Sequence, residues 1–567
     1  MVGAREPNAL TCTPAAPGGV RKEHSMSRGA TMTTDLRATV AGLPAGTPSI
    51  ASGRVTAAIR ALYSPDKRAT QANWLGAVAA LVAAQRHNDL ASQLVNHLGA
   101  VPLETNLLDG MSIGEIGVIY EALVALSDHR TRRSQGQYFT PDDVAAFMAS
   151  HASRFPEGVW LDPCCGVGNL SFHLAAAMPD SGAFVARRLS LIDLDPIALK
   201  TAQALLIANF ANDGDFDALP ALVRRSHVRD FLDTAELPSH EFAIVNPPYA
   251  RTTRDERFVS AEAGELYAYF LERVASESNG FIAITPASHL GGVKYASLRG
   301  LLGRLPGGDV FVFDNVPDTC FRGYKYGSTN TSKTNFVRAA ITVVAPSDSA
   351  WRITPILRWA AKSRRRMWEG APSLLLPRRK GPGGEWAKVM PGTETVWDAL
   401  AGSEHRLRDL VSKVETPYRL HIASTPRYYI TATKRDLDRG SKHVLYFATQ
   451  NAMDEAYVLL NSSLPYWWWR CIDGGITLPL RTLLATPIPP RLRADAGLVR
   501  QLEESESAGV VTKLNAGRVN ENVRRPWSLV SELDAFLLPD TNFDFRLTYA
   551  PDMFASNLPP ASGSENL

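Results

Sequence analysis

Hydrophobic residues between residues 51 and 130 recur at the spacing of helix faces. One such run begins at Trp74 and another at Ile113, and in both the apolar positions return every three or four residues. The pattern predicts a helical region over residues 51–130. Residues 1–50 are instead rich in Gly, Pro, Ala, Thr and Ser and show no sustained period, which predicts a disordered leader.

From about residue 131 the pattern changes to short β-rich runs that alternate with helical ones. A helical pattern covers 196–210, for example, between two apolar runs. This alternation predicts an α/β fold, with a mostly parallel sheet and helices on both faces. Ligands of such sheets bind beyond the carboxyl ends of the strands, so the loops there should carry the chemistry. The strand-like runs are Val159–Leu161, Leu189–Ile192, Phe242–Val245, Gly280–Ile284 and Val310–Phe313.

Composition narrows the class of protein. The chain has 567 residues, enough for two to four folded units at roughly 100–200 residues each. It has no uninterrupted apolar run of membrane-spanning length, and its first thirty residues lack the apolar core of a signal peptide. Its 5 cysteines are scattered, so they predict neither a disulfide framework nor a zinc site. We therefore expect a cytoplasmic protein with reduced thiols, no membrane partner and no metal.

The charge distribution is uneven. Residues 351–450, called the basic block below, contain 19 Lys and Arg against 9 Asp and Glu, whereas the whole chain has a net charge of +3. A solvated face is one explanation of this block, and a surface that binds a polyanion is the other.

A glycine-containing loop follows the first strand of the α/β region. It runs from Asp162 to Leu170 and carries Gly166 and Gly168, which allow the backbone to approach a ligand closely. It lacks the third glycine of a dinucleotide fingerprint and the Lys-Ser/Thr of a P-loop. The acid that opens it, Asp162, suits an ammonium group better than a phosphate.

Acids also end the next two strands. Asp193 is placed to accept hydrogen bonds from ribose hydroxyls. Asp230 can meet an exocyclic amine, and Phe231 can stack on a base. Together these residues offer partners for an ammonium group, a ribose and an adenine, but none for phosphates. Such a set fits S-adenosylmethionine better than NAD or ATP.

The most specific motif is Asn246-Pro247-Pro248-Tyr249, directly after a hydrophobic strand. The two prolines remove N–H donors and leave carbonyl acceptors beside the Asn side-chain oxygen. Two acceptors and an aromatic ring form a clamp for a planar amino group. The alternative is a Pro-Pro turn with no catalytic role.

These motifs resemble those of the adenine-N6 DNA methyltransferases of restriction–modification systems. The resemblance rests on the Asp162 loop, on Asn246–Tyr249 and on the upstream Gly136-Gln137-Tyr138-Phe139-Thr140-Pro141, in the order Thr-Pro motif, cofactor loop, catalytic loop and recognition domain. It covers roughly residues 130–345. A weaker similarity at 459–469, with three consecutive Trp, resembles the target-recognition domains of this group, although a buried structural cluster explains the Trp residues equally well.

The resemblance implies a Rossmann-like methyltransferase sheet and a role for each motif residue. Thr140 would lie near the methionine carboxylate and Asp162 near its amino group, with Cys164, Gly166 and Gly168 forming the loop beside them. Asp193 would hold the ribose hydroxyls, Asp230 the adenine amino group, and Phe231 the adenine face. Two departures are the Cys164-Cys165 pair, where small residues are usual, and Asp193, where a longer Glu is usual. The catalytic residues would be Asn246, Pro247, Pro248 and Tyr249.

The implied function is methyl transfer from S-adenosylmethionine to adenine N6 in double-stranded DNA by base flipping, with protection against a separate cognate restriction endonuclease. Such an enzyme is expected in a prokaryotic cytoplasm, at the nucleoid when bound to DNA. A cytosine-N4 methyltransferase, a protein-glutamine methyltransferase and a non-catalytic DNA specificity subunit are the alternatives.

The expected domains follow from these observations. They are a disordered leader (1–50), a helical N-terminal region (51–130), the methyltransferase domain (131–350), a separate C-terminal DNA-recognition domain (351–550) and a polar tail (551–567).

Overall fold

The computed structural model describes residues 52–86, 89–127, 140–233, 236–321, 325–326, 329–330, 338–426, 428–473, 475, 477–515, 518–541 and 544–555. The expected leader, the 136–139 part of the Thr-Pro motif and most of the expected polar tail lie outside these residues. No helix in the described ranges is long and apolar enough to cross a membrane.

Among the described residues of 52–127, four helices occupy the region for which the sequence predicts helices. The second begins where Asp66 accepts a hydrogen bond from the Arg68 amide at 3.0 Å, which satisfies one of the free N–H groups of the first turn. Its Trp74 indole donates to Thr201 Oγ1 at 3.0 Å, so this helix is tied to the α/β region. The helices are α1 (Ser52–Leu62), α2 (Lys67–Gln85), α3 (Asp89–Leu98) and α4 (Ile113–Ser127).

A nine-stranded mixed sheet forms the centre of the α/β region. Its strands are β1 (Trp160–Asp162), β2 (Leu189–Asp193), β3 (Ser226–Val228), β4 (Phe242–Val245), β5 (Gly280–Pro286), β6 (Gly308–Phe313), β9 (Ala339–Val344), β10 (Trp351–Leu357) and β11 (Leu376–Pro377); the small pair β7 (Lys325–Tyr326) and β8 (Thr329–Asn330) lies outside it. The strand order is β11-β10-β6-β9-β5-β4-β1-β2-β3, in which β9 runs antiparallel to both of its neighbours and β1 to β5 are parallel. The strands predicted from sequence all belong to this sheet, with ends displaced by a few residues at most.

Helices cover both faces of this sheet, as expected. Alternate residues of a strand point to opposite faces. In β4, Phe242 and Ile244 join one hydrophobic cluster, which includes residues of the N-terminal helices, whereas Ala243 and Val245 join a second one. The α/β fold is therefore confirmed. The helices of this region are α5 (Asp142–Ser150), α6 (Asn169–Ala177), α7 (Ser181–Arg187), α8 (Pro196–Phe210), α9 (Ala218–Arg224), α10 (Leu266–Glu277), α11 (Ala296–Leu302) and α12 (Arg364–Gly370).

A further hydrophobic cluster gathers residues from Ala387 to Tyr549. The three consecutive Trp residues, Trp467 to Trp469, are each 1% exposed within it, so they are a buried structural cluster. The strands from residue 379 onwards are the ribbon β12 (Arg379–Lys380) and β13 (Trp386–Ala387), a sheet of order β14-β17-β15-β16 (Val411–Ser412, Lys442–Phe447, Arg419–Ala423, Ala432–Thr433), and the hairpin β18 (Val510–Asn515) and β19 (Arg518–Val523). The helices there are α13 (Glu394–Leu400), α14 (Gln450–Asn461), α15 (Leu464–Ile472), α16 (Leu480–Leu484), α17 (Ala496–Ala508), α18 (Trp527–Leu537) and α19 (Arg546–Tyr549).

The start of the expected recognition domain, residue 351, coincides with the first residue of β10. This strand pairs in parallel with β6 and completes the central sheet. The C-terminal cluster begins instead near Ala387. Sequence reasoning placed the division at 351 because the charge balance changes there, whereas the sheet continues beyond it.

A buried carboxylate joins the sheet to the C-terminal cluster. Asp314, at the end of β6, is 1% exposed and forms ion pairs with Arg338 at 2.9 Å, Arg358 at 3.1 Å and Arg470 at 2.7 Å. The three guanidinium groups hold the pKa of Asp314 well below its ordinary value, against the effect of burial.

Ion pairing and burial reduce the number of free positive charges that the basic block presents on the surface. Arg358 and Arg364 are each 1% exposed and Lys388 is 2% exposed, so they are part of the interior. The positive surplus of the sequence is therefore larger than the surplus on the surface. At least nine of its cations pair with acids: Arg352 with Asp309, Arg358 with Asp314, Arg364 with Asp143, Arg365 with Glu369, Arg379 with Asp398, Arg408 with Asp409, Lys434 with Asp454, Arg435 with Glu521 and Lys442 with Asp436.

Candidate active site

A cleft of about 230 Å³ opens at the carboxyl ends of strands β1 to β4. Its lining brings together residues that are distant in the sequence, such as Thr140 and Asn246, which are 106 positions apart. Of the expected site residues, the cleft is lined by Thr140, Asp162, Cys164, Gly166, Asp193, Asp230, Phe231, Asn246 and Pro248. The remaining three (Gly168, Pro247 and Tyr249) belong to the same loops but are not among the lining residues that the structure describes.

The loop after β1 owes its shape to two glycines. Gly166 has φ +53° and Gly168 has φ +91°, both in the left-handed region that favours glycine. A Cβ on Gly168 would lie 3.0 Å from the Cβ of Ala202, so this glycine also lets the loop pack against α8. One glycine therefore shapes the ligand side of the loop and the other its packed side.

Asp162 is buried at the base of the cleft. Its Oδ2 accepts a hydrogen bond from Ser171 Oγ at 2.7 Å, whereas its Oδ1 has no hydrogen-bond partner within the described residues. Burial raises the pKa of Asp162 to about 7. A buried carboxylate oxygen that lacks a donor is suited to a positively charged ligand group.

Asp193 ties two loops together at the end of β2. Its Oδ2 accepts from the Gly166 amide at 2.7 Å, and its Oδ1 accepts from the Asp195 amide at 2.8 Å. Burial raises the pKa of Asp193 to about 6. Each carboxylate oxygen has two acceptor positions, so Asp193 can hold the loop and still accept from a ligand hydroxyl.

The third acid and its neighbour lie at the outer side of the cleft. Asp230 is exposed and accepts from the Leu232 amide at 2.9 Å. Phe231 is 2% exposed, and it packs between the Phe270 ring, with centroids 4.9 Å apart, and the guanidinium of Arg273. These contacts hold the Phe231 ring in place beside the cleft.

The Asn246–Tyr249 segment leaves β4 next to the loop after β1. Asn246 Nδ2 donates to Thr140 Oγ1 at 2.8 Å, and Cys164 Sγ donates to the Asn246 carbonyl at 3.2 Å. Tyr249 is half-buried, and its hydroxyl donates to the Ile284 carbonyl at 3.1 Å. The segment is thus held by two side chains, those of Thr140 and Cys164, and by a backbone carbonyl, that of Ile284.

Sequence reasoning missed the contribution of helix α4. Gly117, Tyr120 and Glu121 of this helix line the cleft. The Tyr120 hydroxyl donates to Asp195, and burial, together with that carboxylate, raises the pKa of Tyr120 well above its ordinary value. The apolar spacing around Tyr120 predicts the helix, but no local signal indicates which strand end it covers.

The residues present fit the cofactor implied by the sequence. Asp162 offers an anionic oxygen for an ammonium group, Asp193 an acceptor for hydroxyls, and Phe231 an aromatic ring for a base. All three line one cleft.

Comparison with known proteins agrees with the resemblance to DNA methyltransferases. Residues 112–195 match the family model of the N-6 DNA Methylase, which covers α4, the Thr140 segment, the glycine loop and β2. This part of the chain is therefore similar to DNA methyltransferases, whose cofactor is the expected S-adenosylmethionine. A search of curated proteins found no match.

Several solved structures are distantly similar. One is the DrdV–DNA complex, with TM-score 0.41 and 12% identity over 69% of this chain and 49% of that one, so the match spans about half of the DrdV chain. Another is the methyltransferase subunit of a type I restriction–modification system from Streptococcus thermophilus, with TM-score 0.32 and 14% identity over 51% and 68% of the two chains. A third is the type IIG restriction endonuclease BpuSI, with TM-score 0.37 and 12% identity over 90% and 80%. At these TM-scores the likeness is distant, and the site residues carry the function proposed below.

Proposed function

We propose that this protein is a site-specific DNA methyltransferase that transfers a methyl group from S-adenosylmethionine to adenine N6. The observation that carries the proposal is that Asn246 and Pro248, of the Asn246–Tyr249 segment, line the same cleft as the three strand-end acids. An amino-group clamp beside acceptors for an amino acid and a nucleoside suits transfer between these two ligands.

In the proposed complex, Asp162 pairs with the amino group of the cofactor and Asp193 accepts from its ribose hydroxyls. Asp230 accepts from the adenine amino group, and the ring of Phe231 contacts the adenine face. When bound, S-adenosylmethionine supplies a methyl group on a positively charged sulfur.

The catalytic segment makes the target nitrogen a better nucleophile. Asn246 Oδ1 and the Pro247 carbonyl accept the two hydrogens of the target amino group, which favours a tetrahedral nitrogen with its lone pair directed at the methyl carbon. The bound cofactor would supply the methyl group for the new N–C bond, and the electron pair of the S–C bond would remain on its sulfur. The surplus proton on nitrogen then passes to water. Positioning and fixed dipoles supply the rate enhancement, without a covalent enzyme intermediate.

The target base must leave the duplex to reach this cleft, because its amino group is inaccessible in stacked DNA. Tyr249 is proposed to stack on the flipped base. The C-terminal part, from about residue 387, is proposed to recognise the DNA sequence, while exposed cations of the basic block bind phosphates. Four exposed cations there form no ion pair with a described residue: Lys362, Lys380, Lys413 and Arg419.

The biological role that fits this activity is protection of DNA against a cognate restriction endonuclease encoded separately, in a prokaryotic cytoplasm. DNA from cells that express the protein, sequenced with detection of modified bases, would reveal both the modified base and its sequence context.

Purified protein, tritiated S-adenosylmethionine and DNA test the chemistry. Digestion of the product to nucleosides should yield N6-methyladenine. N4-methylcytosine instead would show the related cytosine enzyme, and label on protein would show a protein methyltransferase. Binding of S-adenosylmethionine and DNA without any methyl transfer would indicate a non-catalytic specificity subunit.

The Asn246→Ala variant separates catalysis from binding. It removes an acceptor that acts most strongly in the transition state, so the single-turnover rate should fall on the order of 100- to 1000-fold while cofactor and DNA affinity change little. The exposed Asn279→Ala is the matched control and should keep the parental rate. A parental rate in Asn246→Ala would mean that the segment is only a turn.

A further inference from the structure

Thr140 contacts the catalytic segment directly. Its Oγ1 accepts the hydrogen bond from Asn246 Nδ2 at 2.8 Å. Thr140 is 5% exposed, so water does not compete freely for this contact. The resemblance to known methyltransferases implies only a role for Thr140 at the cofactor carboxylate, whereas the structure shows its hydroxyl at the Asn246 amide.

The Thr140 segment is itself firmly held. Asn169 Nδ2 donates to the Thr140 carbonyl. In the helix that follows, Asp142 accepts from His173 at 3.0 Å, and Asp143 pairs with the buried Arg364. Thr140 is therefore a fixed support for a side chain that would otherwise rotate about its own bonds.

We propose that Thr140 is a positioning residue that orients the Asn246 amide for catalysis. The nitrogen and oxygen of an amide are bonded to the same trigonal carbon and diverge from it in different directions. Holding Nδ2 at Thr140 therefore keeps Oδ1 turned away from Thr140, as the acceptor for the target amino group. This inference rests on the proposed function, because it assigns Thr140 a part in the same methyl transfer.

Substitution of the hydroxyl group tests the proposal. Thr140→Val keeps the side-chain shape but removes the acceptor, and the single-turnover rate at saturating S-adenosylmethionine and DNA should fall about tenfold, as for loss of one buried hydrogen bond. Thr140→Ser restores the hydroxyl and should return the rate to within about threefold of the parent. The affinity for S-adenosylmethionine, measured by calorimetry, should change less than threefold in both variants.

A matched control is Thr342→Val in β9. Thr342 is 1% exposed, and its hydroxyl has no hydrogen-bond partner within the described residues, so the same exchange there should leave the rate unchanged. If the Thr140→Val effect lies only in cofactor affinity, or if Thr140→Ser fails to recover the rate, the positioning role is wrong.

A stability measurement tests the contact without reference to activity. If Thr140 and Asn246 interact, Thr140→Val combined with Asn246→Ala should lower the Tm by less than the sum of the single changes. Additive losses would overturn the inference. Non-additive losses in a protein that methylates no DNA would instead retain the contact and reject the proposed function.

Discussion

Removal of the Asp193 carboxylate should weaken both the folded protein and its cofactor site. In Asp193→Ala the amides of Gly166 and Asp195 lose their acceptor, and both bonds, at 2.7 and 2.8 Å, are short. Two hydrogen bonds to a charged acceptor contribute about 1.5–3 kcal/mol each. Burial offsets part of this, because it raises the pKa of Asp193 to about 6. The two amide bonds act against that rise, so their net contribution to stability is smaller than their sum.

The expected net loss is about 1–3 kcal/mol in the free energy of unfolding, without any cofactor present. Affinity for S-adenosylmethionine should fall by about 10- to 100-fold as well, because the ribose acceptor and the loop support disappear together. Urea unfolding at pH 7.5, with and without cofactor, measures both effects.

The matched control is Glu157→Ala, which removes a carboxylate that is 80% exposed and pairs with Arg188 on the surface. Its effect should stay below about 0.5 kcal/mol. An Asp193→Ala variant as stable as the parent would refute the loop-holding role. A less stable variant with parental cofactor affinity would place the ribose elsewhere, with Asp195 the next residue to examine.

Three other predictions follow from single contacts. Burial raises the pKa of Asp162 to about 7, so its contribution to stability is present below about pH 4 and decreases as the pH rises towards 7. The ionised form binds the cofactor ammonium, so calorimetry should show affinity rising on the order of tenfold between pH 5.5 and 7. Asp162→Asn should remove most of this dependence and leave the smaller part that Asp193, with its pKa of about 6, contributes. Gly168→Ala should lower the free energy of unfolding by about 1–3 kcal/mol, because it adds both backbone strain and a close contact. In Gly166→Ala the new Cβ meets no atom within 4 Å, so the loss should be about 1 kcal/mol. Equal losses in denaturant unfolding would contradict this difference. Asp314→Ala should cost about 3–5 kcal/mol in denaturant unfolding because three buried guanidinium groups lose their counter-ion, and a loss below about 1 kcal/mol would show that other groups neutralise them.

Local patterns in the sequence were sufficient to predict strands β1 to β6 of the central sheet and nine of the residues that line the cleft. The apolar run of β4 and the polar residues after it occupy a few consecutive positions, so they identify a strand and its loop together. Because parallel strands place their carboxyl ends at one edge, Asp162, Asp193 and Asn246 were expected to meet before any distance was known. The structure brings these three residues to one cleft.

Long-range packing decided what the local patterns left open. Helix α4 was predicted, but its approach to Asp195 through Tyr120 depends on how the N-terminal helices pack. The bond between Asn246 and Thr140 joins two loops 106 residues apart, and neither motif contains a signal for the other.

The basic block shows most clearly the difference between what the sequence predicts and what long-range packing decides. Its composition left two explanations open, a solvated face and a surface that binds a polyanion. In the structure, Arg358 and Arg364 find their counter-ions, Asp314 and Asp143, in distant segments of the interior. A sequence determines how many charges a segment carries and which short runs form strands. Which charges are neutralised depends on contacts between segments that only the folded chain brings within about 4 Å.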